Sequence, residues 1–214
     1  MGAAQPGYVL PMTSRPSPAT TARPSLMVII ASTRPQRVGK AVAEWLTAHA
    51  QEHGAFHIDV ADLKELDLPM MNEPEHPVHG RYQHEHTKAW SARVAAADAF
   101  VMVTPEYNHS FTAPLKNAID YLNKEWKRKP VAIASYGGVS AGLRAATMLR
   151  AVLSALGMVA TGTTVSIPMV RSFLDEAGEF QPNEPLRKAA TGMLDELLTL
   201  HTVLAALRSG ERSA

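Results

Sequence analysis

Leu26-Met27-Val28-Ile29-Ile30-Ala31-Ser32-Thr33-Arg34-Pro35-Gln36-Arg37-Val38-Gly39-Lys40 decides the fold: six apolar residues, a polar turn carrying two arginines, then the start of a helical repeat. A short unbroken apolar run suits a strand buried on both faces of a parallel sheet. Val38, Ala41, Val42, Trp45 and Leu46 recur at i, i+3, i+4, i+7 and i+8, which is one face of a helix, with Lys40 and Glu44 opposite. The same alternation continues down the chain. Further strands are expected at 56–63, 99–104, 131–136 and 159–167, and further helices at 82–97, 115–123, 141–156 and 185–207. Five strands alternating with helices predict an α/β fold, a doubly wound parallel sheet with helices on both faces.

A length of 214 residues with 46% hydrophobic content supports one domain with a substantial core. Residues 1–25 hold Pro6, Pro11, Pro16, Pro18 and Pro24 with little to bury, so a disordered leader is expected there, then the domain over 26–208 and a short tail over 209–214. Lys plus Arg number 21 against 20 for Asp plus Glu, and a net charge of +1 creates no general field for nucleic acid or an anionic membrane. The absence of cysteine excludes disulfides, thiolate metal sites and thiol nucleophiles, so any redox centre must be borrowed. The apolar run 26–31 is far shorter than the roughly 18 residues of a membrane span. A soluble, cytoplasmic protein is expected.

Ligands in such sheets bind outside the carboxyl ends of the strands, so three strand-to-helix turns carry the functional reading. In the first, Ser32, Thr33, Arg34, Gln36, Arg37, Val38, Gly39 and Lys40 bring hydroxyls, guanidinium groups and free helix amides together, a combination that favours an anion. A Walker A loop would need glycine at Arg34 and a hydroxyl at Ala41, and a dinucleotide fingerprint needs three glycines. The second turn runs from Pro105 through Glu106, Tyr107, Asn108, His109 and Ser110 to a helix start at Pro114, and its polar, amide-rich stretch suits the edge of a flat heterocycle. An ordinary connection with surface polar groups would read the same way. In the third, after Ser135 and Tyr136, Gly137 and Gly138 before Val139 allow positive φ and a close approach to a ligand. His76, His79, His84 and His86 invite a metal reading, but on a helix His84 and His86 do not share a face and zinc needs three or four converging ligands. No metal is expected.

These residues, above all the segment from Pro105-Glu106-Tyr107-Asn108 through Leu115-Lys116-Asn117-Ala118-Ile119-Asp120, resemble the NADPH-dependent FMN reductase family, a branch of the flavodoxin-like superfamily, over roughly 26–168. The resemblance implies a flavodoxin-like strand order 2-1-3-4-5, FMN as cofactor and NADPH or NADH as reductant. It implies an FMN phosphate held by Ser32, Arg34 and residues 36–40, with Arg37 as a second cationic contact, an isoalloxazine edge carried by Pro105 to Ser110, and Ser135 to Val139 closing the other side. Members commonly carry a small residue where His109 stands. Tyr82, His84 and Trp90 are placed near the flavin mouth and a dimer contact, and a homodimer or dimer-based tetramer is expected. The implied activity is hydride transfer to FMN and then electron transfer to a small acceptor: a quinone, a flavin, an azo or nitro compound, or a metal oxyanion. The flavin performs that chemistry, so no catalytic dyad is required. An electron carrier or a regulatory flavin-binding module would share the fold; carriers are usually acidic, and this chain is nearly neutral.

Overall fold

A computed structural model of the chain describes residues 23–210. Its elements alternate: β1 (Ser25–Ile30), α1 (Gly39–His53), β2 (His57–Asp62), a one-turn α2 (Leu63–Leu66), α3 (Glu85–Ala96), β3 (Ala99–Pro105), α4 (Ala113–Asp120), β4 (Pro130–Tyr136), α5 (Leu143–Ala155), β5 (Val159–Ala160), β6 (Val165–Ile167) and α6 (Glu184–Gly210). All strands are parallel, in the order β2-β1-β3-β4-β5, with β6 also paired to β4. The leader expected over 1–25 lies outside the described residues up to position 22, and Ser25 already belongs to β1. Of the expected tail, 211–214 lie outside them and Ser209 and Gly210 end α6.

Strand side chains alternate between two cores. Leu26, Val28, Ile30, Val101 and Val103 face α1 and α6, while Met27, Ile29, Phe100 and Met102 face α3, α4 and α5. Burial on both sides explains why the strands read as unbroken apolar runs. The 27-residue α6 is long and apolar enough to cross a membrane by composition, but Leu186, Ala190, Met193, Leu194 and Leu197 are buried in the α1 face of the core.

The fifth strand departs from the expected 159–167. It is two short strands separated at 161–164, where Glu196 of α6 accepts from the Gly162 and Thr163 amides and Arg150 of α5 donates to the Thr161 carbonyl. Side chains from the flanking helices thus satisfy backbone groups that a sheet ladder would otherwise hold. The helix expected at 82–97 starts at Glu85, because His84 is an extended N-cap; the one at 141–156 starts at Leu143, because Ala141 and Gly142 have φ of 54° and 77°. Pro114 does sit in the first turn of α4, where Thr112 caps the Leu115 amide.

Candidate functional site

At the carboxyl end of β1 the backbone leaves the sheet through Ser32 and turns at Gln36, with φ of 54°, into α1. Its N-cap, Val38, offers no side-chain cap, and the first amides of α1 enter no hydrogen bond among the described residues. Gly39 is required here: a Cβ would stand 2.2 Å from the Tyr136 hydroxyl. That contact brings the end of β4 against the helix start. The Ser32 hydroxyl lies 3.1 Å from the Tyr107 hydroxyl and also hydrogen-bonds Tyr136. Burial pushes the Tyr136 phenol well above the usual tyrosine range, so it stays a proton donor. Three hydroxyls and a bare helix N-terminus therefore converge on a cleft of about 190 Å³, bordered further by Arg34, Val170 and Arg171.

The two arginines of this turn differ in kind. Arg34 is exposed, its guanidinium 5.7 Å from the Tyr107 ring centre, with no ion pair among the described residues. Arg37 forms a fork-to-fork pair with Asp62 at the end of β2 and donates to the Ser32 carbonyl at 2.8 Å. Both side chains of that pair are under a tenth exposed, at 8% and 7%. Arg37, expected as a second phosphate contact, borders the cleft, but the donors it gives to Asp62 and Ser32 hold the turn to β2, since a buried carboxylate demands a partner. Lys40 points to solvent 3.8 Å from Glu44, and Thr33 borders a separate groove with Leu63 and Asn117; neither lines the anion cleft.

A second cleft of about 500 Å³ shares Glu106 with the first and lies between the second and third turns, lined by Asn108, His109, Gly138, Val139, Ser140 and Arg144. Tyr107 and Ser110 exchange backbone hydrogen bonds of 2.9 and 3.0 Å, closing a tight turn whose tip residues Asn108 and His109 have φ of 47° and 69°. Positive φ at both central residues is the mirror-image turn dominated by Gly, Asn and Asp, so His109 is held in a conformation unusual for its residue type. Glu106 accepts from the Arg144 amide at 3.1 Å and from its guanidinium, clipping this turn to the start of α5. Burial pushes the Glu106 carboxyl up, but the hydrogen bonds from Arg144 outweigh it and hold the group below the usual glutamate range.

In the third turn the expected positive φ at the paired glycines is not found. The left-handed residues are Ala141 and Gly142, where a Cβ would meet the Tyr136 amide at 2.8 Å. Gly137 and Gly138 have ordinary φ, and a Cβ on Gly138 would meet nothing within 4 Å. The amides of Gly138 and Val139 enter no backbone hydrogen bond among the described residues. Ser135 is wholly buried and donates to the Ala141 carbonyl, so it shapes the turn and does not line a cleft.

The expected mouth residues fall elsewhere. Trp90 is 2% exposed, packs edge-on against Trp126 and donates to the Ala118 carbonyl at 2.8 Å; it belongs to the core. Tyr82 donates to Glu125 at 3.0 Å, and His84 bonds the Asn72 carbonyl at 3.1 Å with its ring stacked on His86 at 5.1 Å. His84 precedes the helix, so the argument from helical faces does not apply to this pair. None of these three residues lines either cleft. Conversely, Asp62, Arg144 and Arg171 carried no sequence signal, because each matters through a neighbour distant in the chain.

Strand order and the three converging turns define a flavodoxin-like α/β protein with a donor-lined cleft at β1–α1. The profile of the NADPH-dependent FMN reductase family matches residues 24–171. An NAD(P)H-dependent FMN reductase of Schizosaccharomyces pombe is 36% identical over 181 residues, covering 81% of this chain and 90% of the relative. A probable NADPH:quinone oxidoreductase of Oryza sativa is 35% identical over 99 residues, 45% of each chain. Among solved structures, the NAD(P)H:acceptor flavoenzyme of Paracoccus denitrificans superposes with a TM-score of 0.67 at 23% identity, covering 84% of this chain and 97% of that one. The chain belongs to the NADPH-dependent FMN reductase family and is an FMN-dependent oxidoreductase.

Proposed function

We propose that this protein binds FMN with the phosphate at the first turn and the ring between the second and third, takes a hydride from NADPH or NADH, and passes electrons to a small acceptor. The observation that carries the reading is the pair of clefts joined at Glu106. The first, at about 190 Å³, is smaller than the roughly 300 Å³ lower end of ligand pockets and suits one polar group. The second is large enough for a planar ring.

The residues present fit FMN. Ser32, Tyr107, Tyr136, Arg34 and the first amides of α1 are donors, and the carboxylate that also lines the first cleft, Glu106, is engaged by Arg144, a set that matches a phosphate. Gly138 leaves open the space that a side chain would fill, so a ring can lie on its backbone. Bound FMN supplies the redox chemistry. The chain's own contribution is to orient the ring through Asn108, His109 and the Glu106–Arg144 clip, and to aim the Gly138 and Val139 amides where negative charge collects on reduction.

The acceptor reading is a small flat molecule of the quinone, flavin or azo type. It rests on the rice relative's name and on the apolar side chains Val139, Leu143 and Met169, exposed beside the ring cleft. The same exposed apolar set, with Met148 on α5, supports a homodimer, and a cytoplasmic enzyme is the accompanying expectation. The test is anaerobic stopped-flow mixing of the FMN-loaded protein with NADPH and with NADH, followed by an acceptor panel. Bleaching of the flavin by at least one nicotinamide and its recovery on adding a quinone are expected. A protein that holds FMN but is reduced by neither nicotinamide would instead be a carrier or a binding module.

A further inference from the structure

We infer that Arg171 is the second uncompensated cation of the phosphate site, since the charge of Arg37 is already paired with Asp62; this rests on the reading of the first turn as the FMN phosphate site. Three observations carry it. Arg171 borders the same cleft as Arg34 but from a different element, the turn after β6. Its guanidinium makes no hydrogen bond or ion pair among the described residues, and neither does that of Arg34 apart from its contact with the Tyr107 ring; only the Arg171 carbonyl is engaged, by the Leu174 amide at 3.3 Å. The third observation is how the turn is held.

Met169, the residue that aims this turn, has φ of 44°, a left-handed conformation that is strained for a side-chain-bearing residue. Two backbone bonds hold it there: the Met169 amide to the Gly138 carbonyl at 2.9 Å and the Val170 amide to the Gly137 carbonyl at 3.0 Å. The Gly137 amide returns a bond to Ile167 at 3.2 Å. The turn is thus clamped to the glycine turn that backs the ring cleft, and Val170 is buried beneath it. Strain kept by surrounding structure marks places where a side chain must be delivered to a fixed position. Arg171 is the charged side chain this clamp delivers.

Charge balance points the same way. A phosphate monoester carries about −1.5 to −2 charges at pH 7. Arg34 alone neutralises one of them, and Arg37 is neutralised by Asp62. Arg34 and Arg171 together match the dianion, on a cleft that Ser32, Tyr107 and Tyr136 also line.

The test is flavin titration, by fluorescence quenching, of the full chain freed of bound flavin, for the native protein, Arg34→Ala, Arg171→Ala and Arg171→Lys, with FMN and with riboflavin. Arg171→Ala should weaken FMN by about tenfold, the effect of one charge-assisted donor. It should leave riboflavin and the thermal midpoint unchanged, and reduce the salt dependence of FMN binding. Arg171→Lys should recover part of the loss. If Arg34→Ala lowers the preference for FMN over riboflavin while Arg171→Ala does not, this inference fails and the phosphate reading stands. If neither variant changes the preference, the phosphate reading fails with it. A raised KM for NADPH with unchanged FMN affinity would assign Arg171 to the nicotinamide and overturn the inference.

Discussion

At the proposed phosphate end of the site the cleft is lined by side chains: the Ser32, Tyr107 and Tyr136 hydroxyls and the Arg34 guanidinium, gathered at the start of α1. At the proposed ring end the lining is largely backbone: the mirror-image turn at Asn108 and His109 and the Gly138 and Val139 amides, which enter no backbone hydrogen bond among the described residues, braced by the ion pair between Glu106 and Arg144. A charged group needs charged or strongly dipolar partners, which side chains supply. A planar ring needs flat access and amides at its edge, which only a backbone held close can give. Substitutions at the two ends should therefore fail differently, in charge specificity at one and in overall flavin affinity at the other.

The largest effect is expected where a residue of the first turn is structural. Arg37→Ala leaves Asp62 buried without its partner and should lower stability by about 3–5 kcal/mol. At about 2–4 °C per kcal/mol for a domain of this size, the thermal midpoint should fall by roughly 10 °C. Arg34→Ala, three residues away and exposed, should move stability by less than about 0.5 kcal/mol. Equal melting of the two variants would erase the distinction drawn between them.

At the ring end, Gly138→Ala puts a methyl into open space at an ordinary φ. Stability should hold, while FMN and riboflavin should both weaken by about tenfold as the added group obstructs the ring. Calorimetry beside flavin titration separates the two readouts, and undiminished binding would move the ring away from this turn.

The Glu106–Arg144 clip adds an acid-sensitive element to the ring end. Because the folded carboxyl is held below its ordinary range, its contribution is complete above that range and lost as pH falls through the folded value. FMN affinity of the native protein should stay level above about pH 5 and decline on acidification. Glu106→Gln should bind roughly threefold more weakly at neutral pH and lack that decline, since a neutral amide keeps only part of the charge-assisted bond. Superimposable pH profiles would show that the clip does not serve the ring.

The smallest effect concerns backbone strain alone. With φ of 69° at His109, His109→Gly relieves a left-handed residue but adds freedom to the unfolded chain, for a net gain of about 0.5 kcal/mol. Chemical denaturation would detect it, and a loss of stability would mean that the imidazole makes contacts the turn depends on.

The same contrast governs what the sequence disclosed. The alternation of buried strands with helices and the proposed anion turn at Ser32 and Arg34 follow from periodicity and residue chemistry, which are local properties, while the strand order came with the family resemblance. Long-range partners were not legible: Arg37 reads as a free cation until Asp62, on another strand, is brought beside it, and Trp90 reads as a surface aromatic until Trp126 closes over it. The tyrosines show the same limit, since residues expected at the ring send their hydroxyls to the phosphate turn instead. Backbone conformation was legible only in part. Two adjacent glycines pointed to a close approach at the third turn, but the left-handed pair is Ala141–Gly142 and the split of the fifth strand depends on Glu196 and Arg150 reaching in from α6 and α5.

The central claim, a phosphate end built from side chains and a ring end built from backbone, is tested most directly by the ratio of riboflavin to FMN dissociation constants in the native protein, Arg34→Ala and Gly138→Ala. The account predicts a strong native preference for FMN that Arg34→Ala lowers by at least tenfold, the range of a lost charge-assisted bond, and that Gly138→Ala leaves unchanged while both affinities fall. A ratio unmoved by Arg34→Ala, or one lowered by Gly138→Ala, would contradict it.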